Sequence, residues 1–249
     1  MKTYRRIEKL SEAVLSLFKI FEKPMVVADV GTDHGYLAES LSKSSKIQKI
    51  IATDISEKSL GKLKKLIKKA SLEKIETFVG DGLEPVQKAD VSIIAGIGGW
   101  EIIKILTTQN RQDNKVKNST TKCDYFVLQP AQNVNELRLW LFDNKIKILK
   151  DYIIYDADRF YPVIIVDVSK KQRNKKSIYN IWLGRDNTLD SEDFILYLKE
   201  LKSTFVYLKD LPKSRIKKDK ILRQKYKLSR IIEKLLNMWY SILTWRTLC

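Results

Sequence analysis

Cysteine and histidine are scarce in this chain, with two Cys and one His in 249 residues. Cys123 and Cys249 are too few for a disulfide framework, and no CxxC or Cys/His cluster offers a zinc site. A reducing, cytoplasmic setting is the simplest expectation, with no metal. No run reaches the roughly 18 apolar residues that a membrane span requires, so no membrane partnership is expected. The opening MKTYRRIEKLSEAVLSLF has bases but no long apolar core, and Glu8 and Glu12 interrupt it. It reads as an amphipathic helix and not as a signal peptide. Acidic residues are thin in the last third: 169–249 hold 8 of the 30 acids but 20 of the 47 bases. Lysine bias alone does not thin out acids in one segment. A net charge of +17 placed this way points to a polyanionic partner, most often nucleic acid.

The length suits one domain plus an appendage, and 44% apolar residues are enough to build a core. From 25 to 168 the pattern alternates. Short apolar or β-branched runs occupy 25–30, 48–53, 75–79, 90–95, 124–128, 147–155 and 160–168. Helix-compatible stretches occupy 36–44, 57–70, 99–107 and 133–143. Such alternation predicts an α/β fold with a mainly parallel sheet. The last two runs leave no room for a helix between them, so they form an antiparallel hairpin at the sheet's end. Residues 108–122 read as a polar surface loop. The expected division is a catalytic domain over 1–168, a basic linker over 169–190 and a basic helical domain over 191–249. In the last, apolar residues recur at helical spacing and Pro212 breaks them into two helices, an antiparallel hairpin or coiled coil. The aromatic tail NMWYSILTWRTLC reads as a packed cap.

The stretch ADVGTDHGYLAESL, 28–41, sets two carboxylates, two glycines and the sole histidine on one strand-to-helix turn. Turns at the carboxyl ends of parallel strands are where open α/β sheets bind ligands. Glycines let the backbone approach closely, and a helix N-terminus presents free N–H groups. The dinucleotide fingerprint needs glycine where Asp33 stands, and an anion there repels a pyrophosphate. S-adenosylmethionine carries a sulfonium, an ammonium and no phosphate, so it suits the turn better. Asp54 ends the next strand, where an acid can accept both hydroxyls of a ribose. Asp81, in VGDGLE, ends the third, where a short polar side chain can meet an adenine amine. Gly96, Gly98 and Gly99, in AGIGGW, read as a backbone floor for a flat base, with Trp100 beside it as a stacking surface. Gln129 can hydrogen-bond a base edge, and Pro130 stiffens its turn.

With these residues in place, the sequence resembles the bacterial tRNA (adenine-22 N1)-methyltransferase family, the TrmK type. The resemblance rests on ADVGTDHGYLAESL, GDGLE, IIAGIGG, LQP followed by LRLWL, and RFYPVIIVDV, and covers roughly 1–168. It implies a Rossmann-like class I methyltransferase sheet with a C-terminal helical hairpin or coiled coil. It implies S-adenosylmethionine as cofactor and N1 of a tRNA D-arm adenine as the methylated atom. It implies Asp33 and Tyr36 as catalytic residues. The cofactor contacts it implies are Asp29, Gly31, Asp33, His34, Asp54, Ile55, Asp81, Gly82, Ala95 and Gly96. Gly98, Gly99, Gln129 and Pro130 would face the base. Lys213, Arg215, Lys217, Lys218 and Arg223 would hold the tRNA backbone. The family commonly has asparagine where this chain has Ala131, with Asn133 the nearest replacement. A monomer or weak dimer is expected. Two other readings share part of the pattern: a non-catalytic RNA-binding shell, and a small-molecule methyltransferase that would leave the basic tail without a purpose.

Overall fold

The computed structural model describes residues 4–109 and 122–248. The expected loop at 108–122 therefore lies outside the described residues except at its ends. The chain divides into two compact units: 1–150 with 161–174, and 151–160 with 175–249.

The first unit is built on strands β1 (Met25–Val30), β2 (Ile47–Asp54), β3 (Ile75–Val79), β4 (Val91–Ala95) and β5 (Tyr125–Gln129), which pair with one another in parallel. Helices α3 (Tyr36–Ser42), α4 (Glu57–Ala70), α5 (Gly99–Gln109) and α6 (Val134–Asp143) lie between strands in chain order. Strands β6 (Ile146–Asp156) and β7 (Arg159–Lys171) complete a sheet of order β3-β2-β1-β4-β5-β7-β6. β7 runs antiparallel to β5, from Leu128↔Ile164 to Tyr125↔Asp167. Two residues join β6 to β7, Ala157 at φ 47° and Asp158 at φ 59°. Two positive φ angles in a two-residue turn match the right-handed twist of paired strands.

The central strands are apolar on both faces because helices cover both. Val27, Ala28, Val91, Ile93, Ile94, Phe126, Val127 and Leu128 are all buried. Each such large side chain adds about 2 kcal/mol of burial free energy. The strand order reverses between β1 and β4, which places the switch point directly above the turn at 31–35. The N-terminal helix α1 (Arg5–Leu15), followed by the single turn α2 (Phe18–Phe21), packs Leu10, Ala13 and Val14 inward, and Ser11 Oγ donates to Ser40 Oγ of α3 at 2.9 Å.

The second unit departs from a simple pair of helices. Its helices are α7 (Ile178–Leu183), α8 (Glu192–Thr204), α9 (Lys213–Lys218) and α10 (Lys220–Leu248), with a 3-10 turn at Val206–Lys209. Ser177 and Ser191 start α7 and α8 by accepting the N–H groups of Asn180 and Phe194. The stretch read as a linker thus holds a helix, and Leu183 joins Phe194, Leu198, Phe205, Leu208, Leu228, Ile232 and Leu236 in one apolar cluster. The break before the long helix is at Asp219, not Pro212. Asp219 adopts an extended backbone, and its Oδ1 accepts the N–H groups of Ile221 (2.7 Å) and Leu222 (3.0 Å). Pro212 instead precedes the first turn of α9, where its missing N–H costs nothing. The tail is not a packed cap: it continues α10, and Trp245 is 68% exposed.

Gly35 fixes the entry to α3. Its φ is +75°, and an added Cβ would overlap the buried Leu63 of α4. Gly35→Ala is expected to lower unfolding free energy by about 2–4 kcal/mol, from left-handed strain plus overpacking, read by urea denaturation. A loss below about 0.5 kcal/mol would show that the turn can relax.

Candidate active site at the strand tips

The turn after β1 is stitched to the end of β2. The N–H groups of Gly31 and Thr32 both donate to the Thr53 carbonyl, at 2.8 and 3.1 Å. The Asp33 N–H donates to Asp54 Oδ2 at 3.1 Å, and the Ser56 N–H to Asp54 Oδ1 at 2.8 Å. Asp54 therefore braces two turns at once. Each of its oxygens keeps a lone pair for a ligand hydroxyl. Thr53 Oγ1 donates to the Gly82 carbonyl at 2.9 Å, which ties in the turn after β3. The adjacent Ile55 is exposed.

Asp33 sits at φ 46°, a left-handed position that aspartate tolerates, and its side chain is exposed. His34 Nδ1 lies 2.6 Å from Asp33 Oδ2, and Lys62 Nζ lies 3.1 Å from His34 Nε2. An ammonium can only donate, so Nε2 accepts and the Nδ1–H faces Asp33. The His34 ring stacks on Tyr36, with centroids 5.7 Å apart and planes 16° apart. Asp81 is exposed at the tip of β3, with Lys104 Nζ of α5 at 3.4 Å. Neither His34's partner Lys62 nor Lys104 was legible in the motifs, because both lie on helices that the fold brings in.

The expected contacts Asp29, Gly98, Gly99, Gln129 and Pro130 are buried. Asp29 is only 3% exposed, and its Oδ2 accepts the Thr32 hydroxyl at 2.7 Å. It braces the loop from inside and is not presented to a ligand. Burial, offset in part by the Thr32 hydrogen bond and assisted by the Asp54 charge, pushes its carboxyl up from 3.8 to about 6. Gln129 is 0% exposed and its amide is engaged. Oε1 accepts from Arg6 Nη1 at 3.4 Å, and Nε2 donates to the Pro130 carbonyl at 3.0 Å. It and the buried Pro130 shape the tip of β5 and offer no edge to a base. Gly98 and Gly99 are buried beneath the 132–133 backbone. The Gly99 N–H donates to the Gln132 carbonyl at 2.9 Å, and a Cβ on Gly99 would overlap the Asn133 carbonyl. Gly99 is small to admit that crossing and Gly98 lies against the Glu101 side chain, so neither forms an open floor.

The open positions are Gly31, which follows β1 in the loop to α3, and Gly96, which follows the half-buried Ala95 at the end of β4. A Cβ at Gly96 would meet nothing within 4 Å, and one at Gly31 only Ile97 at 4.0 Å. Exposed or half-buried carboxylates at 33, 54 and 81 follow or end β1, β2 and β3, at the carboxyl edge of the sheet that also carries these two glycines. Arg6, which no motif flagged, reaches the β5 tip from α1 and also lies over the Tyr161 ring at 5.0 Å.

The raised Asp29 value has a signed consequence. The folded carboxyl holds its proton up to about pH 6 and the unfolded one only to about 3.8. Its contribution to stability is full at low pH and is lost as pH rises through that window, by about 3 kcal/mol. Unfolding free energy of wild type minus Asp29→Asn is therefore expected to fall from pH 4 to pH 7, and a flat difference would refute the burial account.

The Methyltransferase domain family matches residues 10–164. A Mycoplasma pneumoniae protein, provisionally named a tRNA methyltransferase, is 32% identical over 205 residues, covering 81% of this chain and 89% of its own length. The tRNA (adenine(22)-N(1))-methyltransferase of Bacillus subtilis is 28% identical over 166 residues, covering 66% of this chain and 67% of that one. The solved structure of M. capricolum TrmK, in complex with S-adenosylhomocysteine, shares the fold with a TM-score of 0.69 at 23% identity, over 96% of this chain and 98% of that one. This chain belongs to the methyltransferase domain family and is a relative of bacterial proteins named as tRNA methyltransferases.

Proposed function

We propose that this protein methylates N1 of adenine 22 in tRNA, using S-adenosylmethionine. The observation that carries the reading is the carboxyl edge of the sheet, with two open glycines at the β1/β4 switch point and carboxylates at 33, 54 and 81, in a chain 32% identical to a tRNA methyltransferase relative. The residues suit this cofactor. Asp54 would take the ribose hydroxyls, Asp81 and Gly82 the adenine side, and Gly31 and Gly96 would give it room. A phosphate-bearing dinucleotide would meet three carboxylates instead.

When bound, S-adenosylmethionine supplies an electrophilic methyl on a sulfonium and leaves as S-adenosylhomocysteine. Adenine N1 carries an in-plane lone pair, so no residue has to deprotonate it first. The chain's task is to hold that lone pair in line with the methyl. N1-methylation makes the ring cationic. The Asp33 carboxylate, fixed by Asp54 through its N–H and by His34 through Oδ2, stabilises that charge or takes a proton from the exocyclic amine. N1 lies on the pairing edge, so the base must be unpaired to reach the site.

Lys213, Arg215, Lys217, Lys218 and Arg223 are exposed, and Arg215, Lys218 and Lys220 line an open cleft where α9 meets α10. They would hold phosphates, without reading sequence. Among the described residues no helix is long and apolar enough to cross a membrane.

Unmodified tRNA transcripts incubated with labelled methyl donor are expected to acquire label in 1-methyladenosine; label in guanine or cytosine would end the adenine assignment. Asp33→Asn is expected to lower kcat about 100-fold. If Asp33 only holds the cofactor, the loss will appear in the cofactor Kd instead. Replacing the five bases by alanine should weaken tRNA binding and flatten its dependence on salt by several units of log–log slope, about one per lost phosphate contact. An unchanged slope would remove them from the interface.

A further inference from the structure

Two tyrosines stand exposed beside the acidic turn, and packing requires neither. Tyr4 is the N-cap of α1. Its carbonyl accepts the N–H groups of Ile7 and Glu8, while its side chain makes no capping bond and is 51% exposed. Tyr36 opens α3 and is 46% exposed. Their ring centroids are 6.5 Å apart with planes tilted by 50°. Tyr36 also stacks on His34, which holds Asp33. A row of three rings thus runs from α1 to the carboxylate.

The row is carried on a rigid support. α1 is fixed by its buried face, by the Ser11–Ser40 hydrogen bond to α3, and by Arg6 at the tip of β5. Its N-terminus therefore reaches the helix that follows the β1 turn, through Tyr4 against Tyr36, and the β5 tip, through Arg6. Exposed aromatic surface held this firmly at a ligand edge has one evident use. A base taken out of its helix loses its stacking neighbours, and aromatic faces replace them.

We propose that Tyr4 and Tyr36 together form the platform on which the unpaired target adenine stacks, Tyr4 being a substrate-positioning residue supplied by the N-terminal helix. The inference rests on the adenine-methyltransferase reading. A π face is shared by every base, so the pair binds the nucleobase and leaves its identity to other contacts. Stacking on Tyr36 sets the base beside the Asp33 end of the row. The rival platform is Trp100 on α5, 57% exposed.

The test uses the full-length protein, unmodified tRNA transcripts, and a transcript with 2-aminopurine at the target adenine. Tyr4→Ala is expected to lower kcat/KM for tRNA about tenfold, chiefly through KM, and to reduce quenching of the bound aminopurine. Cofactor Kd and melting temperature should stay at wild-type values, and Tyr4→Phe should restore both readouts. Tyr4→Leu keeps bulk without a π face. If it restores KM and quenching, the role is packing and the proposal fails. It also fails if Tyr4→Ala leaves both unchanged, or if Trp100→Ala alone abolishes quenching. Wild-type quenching without methyl transfer to adenine would keep the platform and sink the reaction assigned to it.

Discussion

One carbonyl organises the site. Thr53, at the end of β2, accepts two successive N–H groups from the β1 turn, while its hydroxyl reaches the β3 turn. Three strand tips are thereby locked in register before any ligand is considered. The next residue, Asp54, repeats the device with its carboxylate, fixing the N–H groups of Asp33 and Ser56. The left-handed backbone at Gly31, Asp33 and Gly35 is tolerable because these bonds compensate for it. The site is thus preorganised by main-chain hydrogen bonds, and its carboxylates are held in place by His34, Lys104 and backbone N–H groups.

Electrostatics divides the labour along the sequence. The strand tips gather acids, which suit a cationic nucleoside. The last 81 residues carry bases that suit a polyanion. The two ligands of a tRNA methyltransferase have opposite charge, and the chain has sorted its side chains to match.

Most of the α/β pattern was legible because alternation and strand-tip chemistry are local. β1, β3 and α4 begin and end where the sequence pattern puts them. The turn at 31–35 was legible because glycine and aspartate at those spacings serve few purposes. Contacts that join distant segments were not legible. Arg6 meets Gln129 across 123 positions, and this contact turns a base-reading amide into a strut. Gly98 and Gly99 suggested a floor because sequence shows which residues are small, not what lies over them. Pro212 drew attention as a breaker, but Asp219 does the breaking with a side-chain cap whose strength depends on its backbone angle.

The β6–β7 tip belongs to the second unit although its strands are threaded through the first unit's sequence. Asp151 and Asp186 exchange hydrogen bonds, and the Ile153 N–H donates to Asn187 Oδ1, across about 35 positions that include residues 161–174 of the other unit. Neither unit is one continuous piece of chain. A single cut cannot liberate either whole, and the hairpin tip, separated from the basic helices along the chain by that stretch, is part of the same unit as they are.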